Sequence, residues 1–193
     1  MNNPLYLFIG KSASGKTTVA EVLEREHGFT SLQSYTTRPK RYDNETGHTF
    51  IDNDAFDKLE NIIAYTEYNK YRYCCIKDQI DNASIYVIDV PGVETLLEKY
   101  ETDRPIVVVY FDASIRTRIG RMIDRHDSDM AIVSRLYNDE ESDWEKGLSE
   151  LVWHYKNNVG KNVDMYKIDA NNHIENVMLQ IANHIGFGDG DNV

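Results

Sequence analysis

Residues 5–17 read LYLFIGKSASGKT, and the order of residue types in this stretch decides the fold. Five apolar residues run unbroken to Gly10, which suits a strand buried on both faces. Val19, Val22 and Leu23 follow at helical spacing, so the segment reads as strand, tight loop and helix. Gly10, Gly15, Lys16 and Thr17 satisfy G-x-x-x-x-G-K-[ST] between that strand and the helix start, where the pattern has a physical meaning. Glycines let main-chain amides point inward around an anion, and the positive end of the helix adds to the attraction. Lys16 is expected to reach the β- and γ-phosphates of ATP and the Thr17 hydroxyl to hold Mg²⁺. Gly10, Ser12, Ala13, Ser14, Gly15, Lys16, Thr17 and Thr18 are therefore the candidate ATP-binding set. The side chains of Lys11 and Ser14 are expected to be solvated.

Further apolar runs stand at 85–90 (IYVIDV), 106–111 (IVVVYF) and 163–168 (VDMYKI), each followed by a helical pattern. Strands alternating with helices predict an α/β fold of the P-loop NTPase type, a parallel sheet covered by helices on both faces. With 193 residues and 41% hydrophobic content, one core with small appended flaps is expected. Residues 1–33, 80–122 and 145–187 would form that core. Residues 34–79, polar and rich in threonine and tyrosine, with β-prone runs at 62–68 and 71–76, predict a small mixed α/β insertion. Residues 126–140 are charged and lack an apolar stripe, which predicts a flap leading into a long helix, part of a helical lid over about 123–144. The acidic, glycine-rich end GFGDGDNV suggests disorder, above all over 188–193.

The net charge of −11 opposes docking on nucleic acid or an anionic membrane, because such binding rests on lysine and arginine neutralising phosphates. No apolar stretch approaches the roughly 18 residues that span a bilayer, and MNNPLYLFIG lacks the basic region of a signal peptide. A cytoplasmic protein is expected. Cys74 and Cys75 are adjacent and suit neither a loop-closing disulfide nor a metal site. His48 and His126 show no metal spacing and are expected to be satisfied or solvated polar residues. Basic clusters at Arg38–Arg41 and Arg116–Arg125 can still focus a small anion.

Residues 34–41, SYTTRPKR, hold the second decisive pattern. Ser34, Thr36, Thr37, Arg38, Arg41, Gly47 and Phe50 stand at the spacing S-x-T-T-R-x-x-R followed by a glycine and an aromatic residue. The chain resembles the guanylate kinase-like family of P-loop proteins over nearly all of residues 4–186. That resemblance implies that Ser34, Arg38 and Arg41 bind the phosphate of an acceptor nucleoside monophosphate, a task that paired guanidinium donors suit. It also implies that Glu67 reads the guanine edge, that Tyr73 binds phosphate, and that Asp89 belongs to the acceptor site. An aspartate ending a buried strand could equally hold Mg²⁺ through water or merely cap the edge of the core. Arg121 and Arg125, four apart on one helical face, and Arg135 resemble the arginines that surround the transferring phosphoryl group. Arg116 and Arg118 read as surface charges.

Departures from the family pattern concern the acceptor. Phe50 stands where a phosphate-binding tyrosine is usual, Glu45 is one residue late, and Val87 replaces a first aspartate. Cys74 and Cys75 replace a glycine and a hydroxyl residue of the guanine-reading set, and a thiol is a weak hydrogen-bonding group. The resemblance implies transfer of a phosphoryl group from ATP, with Mg²⁺, to GMP or dGMP. Another nucleotide or a ribose bisphosphate as acceptor, and a non-catalytic binding module, stay open.

Overall fold

The computed structural model describes residues 3–41, 43–140 and 144–185; the expectation of a disordered end at 186–193 lies outside them. Strand β1 (Leu5–Ile9) is buried along its whole length. It lies between β6 (Ile85–Val87) and β7 (Ile106–Asp112), and β8 (Val163–Asp169) completes a four-stranded sheet of order β6-β1-β7-β8, parallel throughout. Alternate residues of β1 point to opposite faces and join different cores. Leu5, Leu7 and Ile9 pack with Val93, Leu96 and Leu97 of α4 (Val90–Lys99) and with Leu148 and Val152 of α7 (Trp144–His154). Tyr6 and Phe8 pack with Val19, Ala20 and Leu23 of α1 (Lys16–His27) and with Val177 and Ile181 of α8 (Ile174–Ile185). Helices thus cover both faces, as the unbroken apolar runs predict.

The strand predicted at 85–90 is shorter than expected. Pairing stops at Val87, because Asp89 turns its carboxylate to the Gly92 N–H at 2.9 Å and caps α4, with proline in the first helical turn. Proline's fixed φ and missing N–H suit that position.

The insertion forms a second sheet from β2 (Ser34–Thr36), β3 (His48–Phe50), β4 (Ile62–Tyr68) and β5 (Tyr71–Ile76), in the order β3-β2-β5-β4. One pairing, β2 with β3, is parallel and the others are antiparallel. A short helix α2 (Asn53–Phe56) lies between β3 and β4, and α3 (Lys77–Asp81) follows β5. The β4–β5 hairpin turns through Asn69 and Lys70, both at positive φ, the geometry that matches the twist of paired strands. After α5 (Ile115–Asp124), the charged stretch expected as a flap is itself a helix, α6 (Asp129–Glu140). A π-helical turn at Tyr155–Val159 links α7 to β8. The carboxyl ends of β1 and β6 open towards the insertion and α6, the crevice where open α/β sheets take ligands.

Candidate functional site

The loop after β1 is shaped by close approach. A Cβ on Gly10, at φ +155°, would stand 2.7 Å from the main-chain oxygen of Phe111, so only glycine fits there. Lys16, the first residue of α1, folds its ammonium back over the loop and donates to the carbonyls of Gly10 (2.6 Å) and Lys11 (3.1 Å) and to Ser14 Oγ (3.3 Å). Burial pushes its pKa down to about 8, partly opposed by Asp139. Ser14 was expected in solvent; it is 1% exposed, because its hydroxyl lies inside the loop beside that ammonium. Thr17 is exposed in the first helical turn.

Arg121 reaches this loop from α5. Its guanidinium donates to the carbonyls of Ala13 (3.3 Å), Ser14 (3.0 Å), Ala170 (2.7 Å) and Asn172 (3.3 Å), joining the loop to the segment after β8. These two segments border a cavity of about 230 Å³ lined by Gly15, Thr18, Arg121, Asn172 and His173, among others.

A second cavity, of about 240 Å³, lies between the β1–α1 loop, the insertion and the helices after α5. Ser12 and Lys16 form one side; Ser34, His48 and Tyr73 come from the insertion. Asp89, Thr66, Tyr86, Asp139 and Trp144 add to its polar and aromatic lining. The Ser34 hydroxyl and His48 Nδ1 are 2.9 Å apart. Burial, followed by the charges of Arg38 and Arg41, drives the His48 pKa down to about 4. A neutral imidazole therefore lines the cavity where the sequence suggested only a satisfied or solvated residue. Burial raises the pKa of the Asp89 carboxyl, so the residue is both a helix cap and a wall of the cavity.

Other predicted residues are engaged elsewhere. Arg38 is buried, and its guanidinium forms two bonds to Glu45, at 2.7 and 3.1 Å, while stacking over Phe50 at 5.2 Å. The Arg41 main-chain N–H donates to the same carboxylate at 2.7 Å, while its side chain is 54% exposed. Arg125 and Arg135 both hold Asp127, and Arg41 is near enough to help lower that carboxyl's pKa. Tyr65, Thr66 and Tyr68 border the cavity; Glu67, whose side chain leaves the face of β4 opposite to that of Thr66 and Tyr68, is not among the lining residues. It is exposed and accepts from the Tyr65 hydroxyl at 2.5 Å. Cys75 is buried in the apolar core, its thiol pushed up to about 11 by burial.

Arg118 corrects the expectation of a surface charge, for it is 1% exposed and donates to Asp139 at 2.7 Å. It stands four positions before buried Met122, which places both on the inner stripe of α5. That spacing was the available signal. Asp139 carried none, because its partners lie far away in the chain.

Chemically, the loop and the Lys16 ammonium can hold one phosphate group, and Ser34 and Tyr73 can hold another across the same cavity. Thr17 and Asp89 offer hard oxygen donors of the kind Mg²⁺ takes alongside nucleotide phosphates. Among the described residues, no three His, Cys, Asp or Glu side chains gather as a metal cluster, and no helix is long and apolar enough to cross a membrane.

The sequence matches no family model, and no curated protein matches it. Solved structures do match. One, a guanylate kinase from Anaplasma phagocytophilum, aligns with a TM-score of 0.55 at 17% identity, covering 95% of this chain and 85% of that one. The chain has a P-loop NTPase fold of the guanylate kinase kind.

Proposed function

We propose that this chain is an ATP-dependent nucleoside monophosphate kinase whose first-choice acceptor is GMP or dGMP. One observation carries the proposal: Ser12 and Lys16 of the phosphate loop face Ser34 and Tyr73 of the insertion across one cavity. Donor and acceptor phosphates would meet there. An oxygen of the acceptor phosphate attacks the γ-phosphorus, the bond from that phosphorus to the β–γ bridging oxygen breaks, and its electron pair leaves with ADP. No protein nucleophile is required, so the chain's residues orient, neutralise and exclude water. Lys16 holds the donor phosphates, and Ser34, Tyr73 and Arg41 hold the acceptor phosphate. Arg121 keeps the loop in shape, and Arg125 and Arg135 supply charge once they turn from Asp127. Bound Mg²⁺, held by Thr17 and by Asp89 through water, would neutralise charge developing on the transferred group.

The outward course of Glu67 and the burial of Cys75 favour keeping a second acceptor in view, another nucleotide or a ribose bisphosphate. ADP production from ATP and Mg²⁺ should therefore be measured with GMP, dGMP, AMP, CMP, UMP, dTMP and ribose 1,5-bisphosphate. Turnover confined to GMP or dGMP supports the first choice, with Asp89 and Thr66 left to read the base. Turnover with another acceptor alone keeps phosphoryl transfer and discards guanine. Silence throughout, in protein shown to be folded, favours the non-catalytic binding module. Lys16→Ala should abolish turnover while leaving acceptor binding nearly intact; retained turnover would overturn the role of Lys16.

A further inference from the structure

Helices α5 and α6 meet over the phosphate loop through an ion pair that the transfer reaction has not yet used. Arg118 and Asp139 are each 1% exposed. Asp139 Oδ2 accepts from Arg118 at 2.7 Å and from the Ser12 main-chain N–H at 2.8 Å, and Oδ1 accepts from the Ser12 hydroxyl at 3.3 Å. One carboxylate thus gathers an amide, a hydroxyl and a guanidinium, a set of donors that a phosphate group also takes. The Lys16 ammonium is close enough to feel both charges. Asp139 helps wall the cavity beside Ser12 and Lys16, whereas Arg118 stands behind it. Stability alone does not account for such a pair, since buried ion pairs often contribute no more than apolar residues of similar volume.

We propose that Asp139 stands in for the terminal phosphate of the donor nucleotide, closing α6 onto the phosphate loop, and that Arg118 is a further phosphate-binding residue which passes from Asp139 to that phosphate. The proposal rests on the donor-nucleotide reading above. A carboxylate and a terminal phosphate are both anions and compete for the Ser12 N–H beside one ammonium, so the incoming phosphate displaces the carboxylate. The neighbouring Asn138 donates to Asn69 in the β4–β5 turn at 2.8 Å. The helix end that carries Asp139 therefore also touches the acceptor side, and displacement at one site is felt at the other.

The test is calorimetric titration of the full chain with Mg²⁺–ADP and with the Mg²⁺ complex of a non-hydrolysable imido analogue of ATP. Asp139→Asn, which keeps shape and removes charge, should tighten the triphosphate about tenfold and change ADP by less than about twofold. Arg118→Leu should weaken the triphosphate about tenfold relative to ADP. An unchanged triphosphate-to-diphosphate ratio in Asp139→Asn overturns the stand-in role while leaving the donor reading intact. Binding of neither nucleotide by the unaltered chain overturns that reading and the proposal with it. A second measurement needs no variant: in ¹⁵N-labelled protein, the Ser12 amide resonance should shift with the triphosphate and hold its place with ADP. Equal shifts with both nucleotides, or no shift with either, count against the exchange.

Discussion

Glu45 accepts two bonds from the Arg38 guanidinium and one from the Arg41 main chain while almost buried. Removing one member of such a pair leaves an uncompensated charge out of water. Glu45→Ala should therefore cost about 3 kcal/mol, read from urea denaturation, whereas a loss below about 1 kcal/mol would mark the pair as equivalent to a solvated one. Lys16 carries a second residue-scale prediction. Burial lowers its pKa to about 8, so the free protein loses this cation as pH rises through that value. The kcat/KM for ATP should accordingly fall between about pH 7 and 10, since this parameter reports ionisations of the free enzyme. A flat profile would show that the loop's lysine stays charged across that range.

At the scale of elements, Asp89 joins the end of β6 to the start of α4. Its carboxylate caps α4 and lines the cavity, so two substitutions separate the roles. Asp89→Ala should cost about 1 kcal/mol of stability through the lost cap, whereas Asp89→Asn, a good cap, should cost little. If Asp89→Asn still loses most turnover, the charge serves ligand or metal; full turnover would leave Asp89 a cap alone. Strand geometry explains a difference of the same scale. The run 62–68 announces β4 plainly, but the side to which Glu67 points depends on the parity set by pairing with β5. A single residue of register would exchange Glu67 for Thr66.

For the molecule as a whole, the cavity is closed by segments far apart in the chain: the β1–α1 loop, the insertion and the start of α7. Trp144 lines it, whereas Trp153 is 61% exposed on the same helix. Titration with the preferred acceptor should change the tryptophan emission, and Trp144→Phe should abolish the change while the Trp153 signal persists. An unaltered response in that variant would place the acceptor elsewhere.

What the sequence determined by itself is local. An apolar run, the glycine spacing and a lysine at the helix start are read within a dozen positions and specify β1, the glycine-rich loop and α1, and the repetition of such runs makes the sheet parallel; the collision that bars a side chain at Gly10 comes from Phe111 of β7, a tertiary neighbour. The S-x-T-T-R spacing likewise locates β2, which brings Ser34 to the cavity. Tertiary structure alone decided which charges are partners. Asp139 takes Arg118 and, across 127 positions, Ser12; Asp127 with Arg125 and Arg135, and Glu45 with Arg38, are neighbours in the chain, and there the fold decided which of the nearby charges pair and how deeply they are buried. Opposite charges find one another through packing and register, which spacing along the chain does not encode. A basic residue is therefore easily recognised in sequence, while its burial and its partner emerge only when α5 and α6 settle on the loop.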